Sequence, residues 1–478
     1  MIKIENASFA YSNTSSKGAL VDIDVHIPKG QVVLLCGVSG SGKSTFTRLI
    51  NGLIPNYYDG DLKGKILLKD KNVGEVTLHE LAPCIGSIFQ NPKSQFYTLL
   101  TDTEIVFACE NLGYEKDEIL KRFSQTVEAF KMEKLLGKNL FRLSGGEKQL
   151  IACASVHALM PEVLVLDEPT SNLDIRSINK LKSVIRYWKE QGKTILIAEH
   201  RLKWLKGIAD RVLYFDGGIK MDIPAEEFWK IPAMKLQEMG LRMPEDFMPK
   251  CRKHFTKYME ITGFANEVLN IDKMEIPVGA TIALLGNNGA GKTTFAKMLC
   301  GLRKNKNAML TYQGKCFSSK ERLELCYMVM QDVNCQLFTG NVSDEILLGI
   351  DTLNTEEKKA ILETIIAELD LLEFRNAHPM SLSGGQRQRV AVAGALASQK
   401  EIIIYDEPTS GLDYRHMSEV ANNIKKLSRQ GKTQIIITHD AELVAECCDY
   451  YMFMEEGRIM AYGEWEEDDK GFVKKFFV

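Results

Sequence analysis

The chain has 478 residues, 45% of them hydrophobic and 26% charged, which is ordinary for a soluble protein and too long for one hydrophobic core, so two or more domains are expected. A formal net charge of −3 gives no electrostatic case for nucleic acid, which a basic patch would signal. Eleven cysteines with no CxxC pair support neither a disulfide framework nor a zinc ribbon; reduced, mostly buried thiols of a cytosolic protein are expected instead. The start MIKIENASFAY lacks a signal-peptide core, and the longest apolar runs, such as VVLLCG and EVLVLD, fall short of the ~20 residues of a bilayer span, so any membrane role is peripheral.

In chain order, Tyr11 of FAYS precedes the first strongly apolar run and is placed either to stack on an adenine ring or to fill the core. Residues 31–36, QVVLLC, read as a buried strand feeding GVSGSGKST, Gly37 to Thr45, and the segment after Lys43 reads as a helix. This is the phosphate-loop pattern G-x-x-x-x-G-K-[ST] in the strand–helix setting its mechanism needs. Gly37, Gly40 and Gly42 let backbone N–H groups turn toward the phosphates of ATP, and Ser39, Ser41 and Thr45 complete the candidate binding set. Lys43 is expected to reach the β- and γ-phosphates and Ser44 to ligate Mg²⁺.

Gln90, in FQNPKSQF, is by itself an ordinary loop glutamine. LSGGEKQ, Leu143 to Gln149, has paired glycines and a hydroxyl suited to phosphate, yet neither a loop lysine nor a base. In VLVLDEPTSNLD, Val163 to Asp174, a core strand delivers two carboxylates at its end. Asp167 suits outer-shell Mg²⁺ contact, and Glu168 suits polarising the attacking water. His200 ends the strand LIAEH as a γ-phosphate contact. From about Met221 to Lys257, Pro224, Pro232, Pro244 and Pro249 with scattered methionines read as the tail of a first domain running into a linker. The basic run PKCRKHFTKY, Pro249 to Tyr258, reads as a solvated linker face.

The elements then return in the same order, roughly 240–250 residues on, a period that means duplicated domains and not a solenoid. TIALL, 281–285, feeds GNNGAGKTT, whose Gly286, Asn288, Gly289, Ala290, Gly291, Lys292, Thr293 and Thr294 repeat the binding roles, with Thr293 on Mg²⁺. MQDVNCQLF supplies Gln331, LSGGQRQ repeats the glycine turn, IIIYDEPTSGLD supplies Asp406 and Glu407, and IIITH ends at His439. Near the place of Tyr11 the second half offers only Phe264. Each half alternates short β-branched apolar runs with helical patterns, the signature of an α/β fold with a largely parallel sheet.

The ordered set of phosphate loop, glutamine loop, LSGG turn, DEPT strand end, S-x-L-D turn and histidine resembles that of ABC-type ATPases, twice, over nearly the whole chain. The resemblance implies two tandem P-loop NTPase domains, 1–230 and 258–478, each with a parallel sheet core and a helical signature subdomain, joined by a tail and linker at 231–257. It implies that Gln90 and Gln331 contact Mg²⁺ and join Glu168, Glu407, His200 and His439 in the catalytic set. It also implies head-to-tail pairing, each ATP held between the phosphate loop of one half and the LSGG turn of the other. Ser144, Gly145 and Gly146, and likewise Ser383, Gly384 and Gly385, then present a hydroxyl and backbone donors to a γ-phosphate held by the opposite half. Each turn is half a site.

FQNPKSQF and FWKIPAMKLQEMGLRMPE, Phe228 to Glu245, resemble the energy-coupling-factor ATPases, here with two subunits fused; MQDVNCQLF keeps the glutamine spacing without Asn-Pro. That resemblance implies uptake of a vitamin or metal ion from the cytoplasmic face of the membrane, through a transmembrane coupling protein and a substrate-binding membrane protein. Two alternatives stand beside it. One is the fused ATPase of a monosaccharide importer, in which one half commonly loses the catalytic residues that both halves keep here. The other is a soluble tandem ABC protein acting on ribosomes, a group with a long charged helical linker.

Overall fold

Val32–Gly37 is buried at every position, and its alternate side chains face two different cores. This strand, β3, is the axis of the first of two compact units, Met1–Glu245 and Asp246–Val478. The computed structural model describes residues 1–12, 20–171, 173–242, 254–350, 354–465 and 476–477.

In the first unit, β1 (Ile2–Tyr11), β2 (Leu20–Ile27), β4 (Gly60–Leu68) and β5 (Lys71–Asn72) form an antiparallel sheet in the order β2-β1-β4-β5. The main sheet adds β6 (Ile85–Ile88), β7 (Val163–Asp167), β8 (Thr194–Ala198), β9 (Arg211–Phe215) and β10 (Ile219–Pro224), in the order β10-β9-β3-β8-β7-β6. Every pairing in it is parallel except β10 with β9. Val33 and Leu35 pack with Ile2, Ile4 and Phe46 toward the antiparallel sheet. Val32, Leu34 and Cys36 pack with Ile185 and Trp188 on the other face. Burial on both faces is why the parallel strands read as continuous apolar runs without alternation.

The second unit repeats this plan. β11 (Tyr258–Ala265), β12 (Asn270–Pro277), β14 (Met309–Tyr312) and β15 (Lys315–Phe317) form the antiparallel sheet. The main sheet runs β16-β17-β18-β13-β19-β20, with β13 Thr281–Leu285, β16 Cys326–Val329, β17 Ile402–Asp406, β18 Thr433–Ile437, β19 Tyr450–Glu455 and β20 Arg458–Glu464. In each unit the crossover from β6 to β7, or from β16 to β17, carries three helices. They are Thr101–Asn111, Lys116–Phe130 and Gly145–Ala158 in the first unit, and Val342–Leu347, Thr355–Glu368 and Gly384–Ala397 in the second.

Of the stretch expected as tail and linker, residues 231–242 are structured within the first unit. Leu236 and Leu241 are 1% and 2% exposed and join its core. Residues 243–253, including most of the basic run's start, lie outside the described residues; His254 Nδ1 lies 2.8 Å from Glu464 Oε2.

Candidate nucleotide sites

Each phosphate loop leaves the central strand of its main sheet and ends on a helix, Lys43–Ile50 or Lys292–Leu299. Gly37 has φ +150°, and a side chain there would collide with the Phe215 carbonyl and the Ser41 hydroxyl, so the sharp exit from β3 requires glycine. Gly42 and Gly291 cap the helices in the left-handed conformation, at φ +102° and +103°. Lys43 folds back into its loop, Nζ donating to the carbonyls of Gly37 at 2.8 Å and Val38 at 3.0 Å. Lys292 does the same at Gly286, 2.5 Å, and Asn287, 3.0 Å.

One residue on, Ser44 Oγ donates to Asp167 Oδ1 at 3.2 Å, and Thr293 Oγ1 to Asp406 Oδ2 at 2.9 Å. Burial, then the neighbouring Glu168, pushes the Asp167 carboxyl up to about 6; burial raises that of Asp406. A cation between hydroxyl and carboxylate would relieve that penalty. ATP and Mg²⁺ fit these residues. The buried Ser41 hydroxyl has no hydrogen-bond partner among the described residues, and space for a ligand is open over Gly40 and Gly289. No group of three or more His, Cys, Asp or Glu among the described residues could hold a metal. One carboxylate and one hydroxyl per site match the protein share of an Mg²⁺ site, in which one or two carboxylates act together with substrate phosphates.

In the first unit Gln90 Nε2 donates to Glu168 Oε2 at 2.7 Å, and His200 Nε2 stands 3.2 Å from Glu168 Oε1. In the second, His439 Nε2 lies 3.6 Å from Glu407, 3.4 Å from Lys292 Nζ and 3.3 Å from Asn288 Oδ1. Gln331 sits exposed just past β16. Glu168 and Glu407 share φ values of +44° and +51°, uncommon for a residue with a side chain. Their N–H groups are pinned to the carbonyls of Ala198 and Ile437, the last residues of β8 and β18. Tyr11 ends β1 half-buried, its hydroxyl 3.2 Å from Thr45 Oγ1. Phe264 is fully buried against Phe295, so its ring belongs to the core.

Ser144 and Ser383 are N-caps of the helices Gly145–Ala158 and Gly384–Ala397, each in a capping box, with Glu147 in one and Gln386 in the other. Gly145, Gly146, Gly384 and Gly385 form the first turns of these helices.

Sequence reasoning singled out neither Thr170 and Glu199 nor Thr409 and Asp440, pairs that tie each strand-end turn to its histidine loop. Their available signal was the threonine of EPTS at the same offset in both halves, facing an acid adjacent to each histidine.

The ABC transporter family profile matches residues 20–171 and 269–410. A Treponema denticola protein named "Putative ABC transporter ATP-binding protein" is 41% identical over 476 residues, 96% of each chain. A Methanosarcina mazei protein of the same name is 32% identical, covering 97% of this chain and 89% of its own. A solved structure described as ribosome-bound archaeal Pelota and ABCE1 covers 98% of this chain and 80% of that one with TM-score 0.70 at 22% identity, a likeness of fold. The two ATP-binding halves, each with its phosphate loop, strand-end carboxylates and histidine, belong to a single chain of the ABC transporter family.

Proposed function

We propose that the chain is the ATP-hydrolysing subunit of an ABC transporter of energy-coupling-factor type, powering uptake of a vitamin or metal ion through separate membrane subunits. It works peripherally, at the cytoplasmic face of the membrane. The observation that carries the ATPase reading is the recurrence of one arrangement in both units. An Asp meets the hydroxyl that follows the loop lysine, and the next Glu meets the histidine.

In this reading the loop N–H groups and Lys43 or Lys292 hold the triphosphate. Ser44 with Asp167, and Thr293 with Asp406, would hold Mg²⁺, which when bound would supply charge neutralisation at the phosphate oxygens. Glu168 and Glu407 take up the proton side of the attacking water, and His200 and His439 contact the γ-phosphate. In the head-to-tail pairing that the family resemblance implies, the LSGG turn of the opposite half would complete each site. The transporter assignment is supported by relatives of nearly the same length that carry the transporter ATP-binding name.

Replacing Glu168 and Glu407 together by Gln should leave ATP binding intact and lower turnover by about 10²–10⁴. Near-normal turnover in that variant would sink the assignment. In the same background, Lys43→Ala with Ser383→Arg should still trap about one ATP per chain, and Lys43→Ala with Ser144→Arg almost none; the opposite ranking would refute completion by the opposite half.

A further inference from the structure

We infer that the second unit's phosphate loop is a base-indifferent polyphosphate site, taking any nucleoside triphosphate or inorganic tripolyphosphate, whereas the first unit's site also grips the base. This rests on the reading of both loops as nucleotide sites.

In the first unit, aromatic faces stand beside the helix that receives the phosphates. The Tyr11 hydroxyl lies 3.2 Å from Thr45 Oγ1 and accepts from Arg48 Nη1 at 2.8 Å, fixing the ring against the first turns of Lys43–Ile50. Tyr58 meets Tyr11 edge-on at 6.2 Å between ring centroids, with the Arg48 guanidinium 4.3 Å over its own ring. The connection 51–60 contains no Lys or Arg.

The second unit places charge where the first places rings. Its turn 265–269, Ala-Asn-Glu-Val-Leu, has no aromatic residue, and Phe264 is withdrawn into the core. Asn266 stands where Tyr11 would, and its Oδ1 accepts from the N–H groups of Val268 at 2.7 Å and Leu269 at 2.9 Å. The connection 300–308 has no aromatic residue either, but carries Arg303, Lys304 and Lys306, all exposed. Asn305 Nδ2 donates to the Ala265 carbonyl at 2.7 Å, which pins this cationic loop to the turn. Lys297, at the place of Arg48, is exposed as well, and Glu267 is the one carboxylate in the turn.

Stacking adds affinity only when a base is present, whereas cations attract the phosphates alike for every base. The two sites therefore divide the ligand differently.

The test uses the full chain carrying Glu168→Gln and Glu407→Gln, with either Lys43→Ala or Lys292→Ala to leave one working loop. Dissociation constants are measured with Mg²⁺ for ATP, GTP and inorganic tripolyphosphate. The Lys43→Ala chain should bind all three within about threefold. The Lys292→Ala chain should prefer ATP to tripolyphosphate by roughly 5- to 100-fold, the worth of one stacked base, and Tyr11→Ala should abolish that preference. Lys304→Gln with Lys306→Gln should weaken tripolyphosphate binding at least threefold in the Lys43→Ala chain alone. A tenfold preference for ATP in the Lys43→Ala chain, or indifference to the lysine changes, overturns the inference while leaving the ATPase reading standing. Failure of both chains to bind any of the three ligands overturns the nucleotide-site reading itself.

Discussion

In the second unit the hydroxyl of Thr409 donates to Asp440 over 2.5 Å, and Asp440 follows His439. In the first unit the hydroxyl of Thr170 donates to Glu199, which precedes His200. Carboxylates on opposite sides of the histidine thus perform one task, fastening the DEPT turn to the histidine loop. Glu199 is almost fully buried, burial raises its carboxyl above the usual range, and it also accepts from the His200 N–H at 2.8 Å and Trp204 Nε1 at 3.3 Å. Asp440 instead caps the helix Ala441–Cys447, accepting from the N–H groups of Glu442 and Leu443.

The anchor holds a turn whose glutamate sits in a strained backbone region. Thr409→Val keeps the volume and removes the hydroxyl, so turnover at the second site should fall roughly 10-fold or more, the worth of a hydrogen bond to a charged group. ATP affinity should be unchanged, and Thr409→Ser should restore most of the rate. Equal losses in the Val and Ser variants would show that packing, not the hydrogen bond, positions Glu407.

The parallel core was legible because its strands are short, doubly buried and end in chemistry. The expected strand TIALL is observed as Thr281–Leu285, and QVVLLC is observed one residue later, as Val32–Gly37. The antiparallel sheets were not read, because β1 and β11 mix buried and exposed positions without strict alternation. In β1 register shifts at Glu5/Ser8 break the period. The Thr–carboxylate anchors escaped notice because the acid changes sides of the histidine between halves, so the repeat does not align them. Tyr11 had no counterpart for a related reason. The second turn is shorter, and the aromatic nearest in sequence faces inward.

His157 and His416 respond to acid in opposite senses. His157 Nδ1 accepts from Trp188 Nε1 at 3.2 Å, and burial lowers its pKa from the ordinary 6.5 to about 4. The unfolded chain therefore takes up this proton first, and the contribution of His157 to stability is lost as pH falls from 6.5 toward 4. His416 is raised above 6.5, first by its hydrogen bond to Asp413 and further by the charges of Asp413 and Glu419, against burial and Arg389. Its contribution is fully present below 6.5 and disappears as pH rises through the folded value. His416→Ser, the residue found at the equivalent Ser177, should lower the melting temperature at pH 6 by roughly 2–4 °C, about 1 kcal/mol in a domain of this size. Well above the folded pKa the shift should vanish; an equal shift at both pH values would refute the assignment.

The proposed docking on a membrane subunit has a candidate surface in each unit. Past the glutamines, Tyr97, Leu99 and Phe338 are 78%, 61% and 76% exposed. Beneath them a buried acid fixes the backbone. Glu104 accepts from the N–H groups of Tyr97 and Thr98 at 3.1 and 2.8 Å, and Glu345 from those of Phe338 and Thr339 at 2.8 Å each. Exposed aromatics on a backbone fixed in this way suit interface anchors. A cysteine at Ser94 should crosslink to a co-expressed membrane subunit, and Tyr97→Ala should weaken co-purification without altering ATP binding. Crosslinks confined to ribosomal components would move the chain from transport to translation.

Residues 231–242 of the expected tail pack into the first unit's core. Leu236 and Leu241 are buried, and the Tyr214 hydroxyl donates to the Met239 carbonyl at 3.0 Å. The tail's end also bridges, in parallel, from Arg242 to Arg201, the residue after His200. A linker would tolerate truncation here within about ±0.5 kcal/mol, whereas a core site loses about 2–5 kcal/mol for Leu→Ala. Leu241→Ala should therefore lower the urea midpoint of the first unit's unfolding, with the second unit's transition unmoved. Because Leu241 adjoins the bridge to Arg201, turnover at the first site should fall even under conditions where the variant is fully folded. A variant as stable and as active as the parent would return this segment to the status of a linker.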